Sequence, residues 1–157
     1  MFEGYNFFTS ASRDIKNAGG SVNREIDNES QLKIFNKHIN NLLQEGNSIF
    51  DRCLLDAVAF ATDAYIITNN NDVFLQIVNW GRDKLKASVE QGIGYDHIFY
   101  LEPIPNMEQD GVRDINELYR RDVVAIYEEL MKEIPIVHKI SGTVEERANQ
   151  IIKTIYG

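Results

Sequence analysis

Arginine and aspartate side chains follow three short apolar runs of the sequence, and their chemistry suits the binding of an anion. Asp51 and Arg52 come directly after one run, Arg13 follows an aromatic-rich run, and Arg113 lies in the turn that begins at Asp110. If the runs are parallel strands, their carboxyl ends share one sheet edge, where open α/β sheets place ligands. Guanidinium groups bind phosphate through charge-assisted hydrogen bonds, so the three arginines predict a small cationic pocket for phosphate or a nucleoside monophosphate.

The sequence lacks the motif that would hold the phosphates of ATP. Such a loop needs closely spaced glycines, then Gly-Lys and Ser or Thr at the start of a helix, so that backbone N–H groups and one ammonium surround the phosphates. No glycine of this chain is followed by a lysine. We therefore expect the chain by itself to bind Mg-ATP weakly and to transfer little phosphate.

Strand and helix patterns alternate along the whole chain, which predicts one α/β domain over residues 1–157. Short apolar runs bounded by turn residues predict strands over residues 5–10, 47–51, 97–101 and 136–140. Helices are predicted to start near Ser12, Ser30, Leu54, Asp72, Ile115 and Thr143. Strands separated by helices imply a parallel sheet with helices on both faces.

The apolar faces of two helices are predicted to pack inside the domain. In the second helix this face comprises Leu32, Phe35, Ile39, Leu42 and Leu43. In the last helix it comprises Val144, Ala148, Ile151, Ile152 and Ile155. Thr143, with Glu146 three residues later, predicts a capping box at the start of that last helix.

Five groups of short motifs occur in a fixed order along nearly the whole chain. They are Thr9–Arg13, Ile49–Arg52 with Leu55–Ala57, Tyr95–Leu101, Asp110–Asp114, and Ile140–Thr143 with Glu145–Arg147. Their order and spacing resemble the ribosylnicotinamide-kinase-like branch of P-loop kinases and, more distantly, thymidylate kinase and other deoxynucleotide kinases. The resemblance implies a nucleoside or nucleotide kinase-like protein of nucleotide metabolism that uses ATP and Mg²⁺. It also implies that the family's central first strand and phosphate loop lie upstream of the part that this chain matches.

The resemblance assigns roles to the residues near the first two strand ends. Asp51 would hold a water of the Mg²⁺ shell, and Arg52 would bind the acceptor's phosphate or hydroxyl-bearing part. Arg13 would also contact the acceptor. Many family members have Thr-Glu just before that arginine, whereas this chain has Thr9 and Ser10, so it lacks a carboxylate there that could act as a base.

The resemblance also assigns roles to the second half of the chain. The turn from Asp110 to Arg113 would be the kinase lid, in which Arg113 neutralises charge on the transferred phosphoryl group, with Arg120 and Arg121 behind it. The residues that would line the adenine pocket are Ser141, Gly142 and Thr143.

Each of these positions also has a purely structural interpretation. Asp51 can cap the next helix and Arg52 can pair with it at the surface. Arg120 and Arg121 suit the solvated face of an amphipathic helix, and Gly142 suits a tight turn from strand to helix. The sequence therefore leaves a second hypothesis open, in which a degenerate relative keeps an anion pocket and acts as a non-catalytic binding or interaction protein.

Composition limits the other function classes. Sixteen Lys and Arg against 24 Asp and Glu give a net charge of −8, which disfavours general binding to nucleic acid or anionic membranes. The lone cysteine, Cys53, suits a reducing cytoplasm. The expected partners are a small nucleoside or nucleotide and, where the central strand is missing, a second copy or another chain. The remaining candidates for metal binding, His38, His97 and His138, show no ligand spacing.

Overall fold

The computed structural model describes residues 2–20, 26–69, 71–104 and 117–157. Helices and short strands alternate through these residues, which confirms the predicted α/β class. The elements are β1 (Asn6–Phe8), α1 (Ala11–Asn17), α2 (Asn28–Leu42), β2 (Ser48–Phe50), α3 (Leu54–Ile67), α4 (Asp72–Gln91), β3 (Ile98–Leu101), α5 (Glu117–Met131), β4 (Val137–Ile140) and α6 (Val144–Tyr156). Among these helices, none is both long enough and apolar enough to cross a bilayer.

The four strands form two separate parallel pairs. β1 pairs with β2, with Phe7 opposite Ile49, and β3 pairs with β4, with Phe99 opposite His138. Parallel pairing therefore agrees with the sequence, but no strand ladder joins the two pairs within the described residues. The prediction of one sheet is wrong for this part of the chain, because each strand of three or four residues meets a single partner.

The core centres on α3, which packs against α2, α4 and α5. Its alanines and leucines are buried on most sides, as the sequence predicts for this segment. The small side chains let the neighbouring helices approach closely. The approach is tightest at Gly81 of α4, where an added Cβ would lie 2.5 Å from the Val58 Cγ2 atom.

Several helix starts differ from the predictions by a few residues. α1 has Ser10 at its N-cap position rather than Ser12. α2 begins two residues before Ser30, because the Asp27 carboxylate accepts a hydrogen bond from the Ser30 N–H at 2.7 Å and thereby caps the helix. α3 begins at Leu54 as predicted. α4 ends at Gln91 and is followed by its C-cap Gly92, whose φ of 64° is left-handed. The predicted helix start at Ile115 lies outside the described residues.

The predicted inward faces of α2 and α6 are wrong in part. In α2, Phe35 and Leu42 are buried as predicted, together with Ile34. Leu32 and Leu43 are exposed. α6 has no buried residue, and Val144 at its start is 87% exposed. Among the described elements α6 packs chiefly on β4, and its apolar face is only partly covered.

Candidate functional site

The chain leaves β2 through Asp51 and Arg52 at the carboxyl end of the strand. The Asp51 N–H donates to the Phe8 carbonyl at 2.9 Å, which extends the pairing with β1 by one residue. Arg52 then adopts a φ of 77°, in the left-handed region that a non-glycine residue occupies at a cost. This turn brings the Arg52 side chain over the first turn of α3, where its Nη1 atom lies 3.1 Å from Asp56 Oδ1.

The Asp56 carboxylate accepts three hydrogen bonds. Arg52 and the Tyr127 hydroxyl both donate to Oδ1, and the Cys53 N–H donates to Oδ2 at 2.7 Å. The Asp56 side chain is 16% exposed, whereas the Arg52 side chain is 44% exposed. The carboxylate therefore holds one edge of the guanidinium group, while part of the Arg52 side chain remains exposed.

These contacts set the charges of the cluster. Burial by itself would raise the pKa of Asp56, but the Arg52 charge and the hydrogen bonds from Tyr127 and Cys53 bring that pKa below its usual value. The Asp56 charge raises the pKa of Arg52. Burial, followed by the Asp56 charge, raises the pKa of the Tyr127 hydroxyl well above its ordinary value. At neutral pH the cluster is thus an ion pair with a neutral tyrosine.

Aromatic rings connect this cluster to β3. The Tyr127 ring lies 5.2 Å from the Tyr100 ring of β3 and stands edge-on to Phe60 at 6.4 Å, measured between centroids. Just before β3, the Tyr95 hydroxyl accepts a hydrogen bond from the Leu54 N–H at 3.1 Å. The first turn of α3 therefore contacts residues on both sides of the gap between the two strand pairs.

Cys53 precedes α3 inside the same cluster. Burial and the neighbouring Asp56 charge raise the pKa of its thiol well above the ordinary value. A thiol that stays protonated is a poor nucleophile and metal ligand. Its surroundings are those of a packed, unreactive cysteine.

The other predicted arginines lie in different settings. Arg13 is a partly exposed residue of α1, which follows β1 directly. Arg113, together with the predicted lid turn, lies outside the described residues. Arg120 donates to the Ile104 carbonyl, so it holds the segment that follows β3. Arg121 is 75% exposed, and its Nε atom lies 3.9 Å from an oxygen of Asp122.

The predicted capping box at Thr143 is confirmed. The Thr143 hydroxyl accepts from the Glu146 N–H at 3.2 Å, and the Glu146 carboxylate accepts from the Thr143 N–H at 2.7 Å. Gly142 has a φ of 96°, and an added Cβ there would lie 2.4 Å from Glu146 Oε2. The capping box thus explains the glycine without a ligand.

The backbone carbonyls of the same turn are also bonded within the chain. Gln150 Nε2 donates to the Ser141 carbonyl at 2.8 Å, and Arg147 Nε donates to the Gly142 carbonyl at 2.8 Å. Arg147 also donates to the Glu102 carbonyl at 2.9 Å, which joins the carboxyl ends of β3 and β4. A nucleotide base at this turn would have to share or replace these hydrogen bonds.

The described residues fit ATP and Mg²⁺ unequally. Asp51 presents an exposed carboxylate, and Mg²⁺ in proteins is often held by one or two carboxylates together with phosphate oxygens and water. Within the ranges described, no three His, Cys, Asp or Glu side chains form a group that could hold a metal ion. No glycine-rich cradle with a lysine is available for a triphosphate, because the sequence contains no Gly-Lys pair.

Sequence reasoning underestimated Asp56 and missed Tyr95 and Tyr127. Arg52 precedes α3 and has a left-handed φ, so the rule that residues four apart meet on one helix face does not apply to its pair with Asp56. Tyr127 is 71 residues from Asp56 in sequence, so no local pattern could connect the two.

Comparison of the chain with protein-family models, with curated proteins and with solved structures finds no match. The resemblance to P-loop kinases accordingly stays a proposal.

Proposed function

We propose that this chain is a nucleoside or nucleotide kinase-like protein of nucleotide metabolism with a P-loop kinase-like fold, and that its described part binds the phosphorylated acceptor at Arg52. The observation behind this proposal is the geometry of Arg52. Its Nη1 atom is held by Asp56, its side chain is 44% exposed, and the residue follows the carboxyl end of a parallel strand. That edge of an α/β sheet is where ligands bind.

Arg52 can bind a phosphate only with help from a second cation. Asp56 neutralises the charge of Arg52, so the pair by itself has no net attraction for an anion at a distance. The guanidinium donors turned away from Asp56 can still form charge-assisted hydrogen bonds with phosphate oxygens. Arg13, after β1, and Arg113, in the proposed lid, are the residues that would supply the additional positive charge.

The described strands form two pairs, β1 with β2 and β3 with β4, rather than the single sheet that the sequence predicts. The proposed fold is compatible with this division, because the central strand of such a sheet would lie between β2 and β3. Backbone groups on the unpaired strand edges need other partners, which supports association with a second copy or another chain.

Phosphoryl transfer by this chain alone is not part of the proposal. Such a step would require a phosphate cradle for ATP, and the sequence offers none. Asp51 would hold a water of the Mg²⁺ shell, with phosphate oxygens and other waters as further ligands. The proposed compartment is the cytoplasm, where reducing conditions keep Cys53 a free thiol.

Isothermal titration of the purified chain with inorganic phosphate and with each common nucleoside monophosphate tests the proposal. We expect saturable binding of at least one of these ligands to the wild type. A hydrogen bond to a charged group contributes about 1.5–3 kcal/mol, so Arg52→Ala should weaken that binding about 10- to 100-fold. Arg13→Ala should weaken it as well, and ATP should produce no turnover.

Lys132→Ala is the matched control, because it removes one positive charge from an exposed pair with Glu129. It should leave the affinity unchanged. Equal weakening by Lys132→Ala and Arg52→Ala would show that net charge alone governs binding. A wild-type chain that binds none of the ligands would refute the acceptor site and favour the interaction protein.

That second candidate has its own structural support. Phe7, in the middle of β1, is 68% exposed, and the apolar face of α6 is only partly covered. Exposed apolar surface of this kind marks interaction sites in many proteins. Light scattering across micromolar concentrations tests this function, and a monomer at every concentration would exclude self-association as its basis.

A further inference from the structure

Two histidines that are far apart in sequence meet on the second strand pair. His97 lies just before β3, and His138 is the second residue of β4. His97 Nδ1 lies 3.1 Å from His138 Nε2, although the residues are 41 positions apart. Parallel pairing of β3 with β4 creates this contact, so no local sequence pattern could indicate it.

The local packing holds both imidazoles in place. Phe99 lies opposite His138 in the strand register, and residues 97 and 99 share one face of the strand because side chains alternate. The Phe99 ring centroid lies 5.8 Å from that of His97 and 5.4 Å from that of His138. The neighbouring residue Tyr100 points to the opposite face, toward Tyr127 of α5.

The distance between the two nitrogens fits a shared metal ion. Imidazole nitrogens bind Zn²⁺ at about 2.0–2.1 Å. Two such bonds to atoms 3.1 Å apart enclose an angle of about 98° at the metal. This angle lies between the cis angle of a square-planar or octahedral ion and the angle of a tetrahedral ion, so the pair can occupy two coordination positions in either geometry.

We propose that His97 and His138 form a bidentate site for a borderline divalent transition-metal ion such as Zn²⁺ or Ni²⁺, with water completing the coordination. Each ligating nitrogen uses its lone pair, so in the metal-bound state the proton of His97 lies on Nε2 and that of His138 lies on Nδ1. Without metal, one of the two facing nitrogens carries the proton of an N–H···N hydrogen bond. That imidazole changes tautomer when the ion binds: it releases this proton to water and takes one up on its other nitrogen. His97 is exposed at the amino end of β3, which leaves the ion accessible to water.

The site is separate from the candidate anion site. His97 lies at the amino end of β3, whereas Arg52 and Asp51 follow the carboxyl end of β2. The ion class differs too, because imidazole favours Zn²⁺ and Ni²⁺ while Mg²⁺ favours oxygen ligands. Loss of phosphate binding in Arg52→Ala should therefore leave the histidine site intact.

Isothermal titration of the untagged chain with Zn²⁺ and, separately, with Ni²⁺ tests the proposal. We expect one ion per chain, and a rise in melting temperature when the ion is present. Loss of a residue that only supports a metal ligand costs about 10- to 100-fold in metal affinity. His97→Ala and His138→Ala each remove a ligand itself, so each should weaken binding at least about tenfold. Mg²⁺ should give no binding at this site.

Controls separate this site from other ligands of the chain. Cys53→Ser should bind Zn²⁺ as the wild type does, and so should Lys139→Ala, which alters the opposite face of β4. His138→Gln provides a second variant if His138→Ala fails to fold. A wild type that binds neither ion at millimolar concentration would overturn the proposal. So would histidine variants that retain full affinity, or a stoichiometry of one ion per two chains.

Discussion

The hydroxyl of Tyr127 offers a sharp test of the cluster around Asp56. Tyr127→Phe removes one of the three donors to a carboxylate that is 16% exposed, while the ring contacts with Tyr100 and Phe60 can remain. A hydrogen bond to a charged group contributes about 1.5–3 kcal/mol, so we expect a loss of that size in the free energy of unfolding. With an m-value of about 2 kcal/mol per M, the urea midpoint should fall by roughly 1 M.

The same variant makes a prediction about pH. The contacts of Asp56 lower its pKa below the ordinary 3.8, so their stabilisation is present above about pH 4 and is lost as the pH falls through the native-state pKa. Removing the Tyr127 hydroxyl raises that pKa. The difference in stability between wild type and Tyr127→Phe should therefore be largest near neutral pH and should shrink in acid.

Tyr100→Phe is the control, because it removes a hydroxyl from a neighbouring tyrosine of β3 that has no hydrogen bond to Asp56. Its effect on the urea midpoint should be small. If Tyr127→Phe loses no more stability than Tyr100→Phe, or loses the same amount at every pH, Tyr127 does not stabilise the Asp56 carboxylate.

Three further outcomes follow from single positions. Burial lowers the pKa of His38 from 6.5 to about 4, so as the pH falls the unfolded chain binds a proton at this residue before the folded chain does. Between neutral pH and about pH 5, the free energy of unfolding of the wild type should therefore fall by about 2 kcal/mol more than that of His38→Gln, as measured by urea titration. Gly81→Ala should lower the free energy of unfolding by about 1–3 kcal/mol, measured by heat or urea, because the new Cβ meets Val58, although alanine has the better helix propensity. Asn79→Ala, on the exposed face of the same helix, should leave the stability nearly unchanged. Arg52→Gly should be about 1 kcal/mol more stable than Arg52→Ala, because a φ of 77° strains alanine but not glycine. Equal stabilities of the two variants would contradict the left-handed turn.

Local sequence patterns predicted the helices well where burial was extensive. α3 begins at Leu54 as predicted, and its apolar residues on most sides fit a helix that is surrounded by others. The prediction that the apolar face of α6 is buried was wrong, because helical spacing identifies an apolar face but does not indicate whether another element covers it. The α/β class followed from alternation, whereas the division into two strand pairs depends on which strands meet in space.

The candidate site was predictable only where it is local. Arg52 could be found because it follows an apolar run, and Asp56 lies one helical turn beyond it. Tyr127 and the pair of His97 with His138 depend on contacts across 71 and 41 residues, for which a single sequence holds no spacing rule. The resemblance to kinases predicts mainly arginines as site residues, whereas the buried side chain that holds Arg52 in place is the carboxylate of Asp56.

The hydrogen bond from the Leu54 amide to the Tyr95 hydroxyl has a consequence for the order of folding. It closes a loop of 41 residues, for which the length-dependent entropy cost is about 3 kcal/mol. One neutral hydrogen bond contributes about 1 kcal/mol, so it cannot close that loop by itself. α3 and α4 must first pack together and return the chain to Tyr95. The first turn of the most buried helix is therefore completed late, and substitutions at Tyr95 should speed unfolding more than they slow folding.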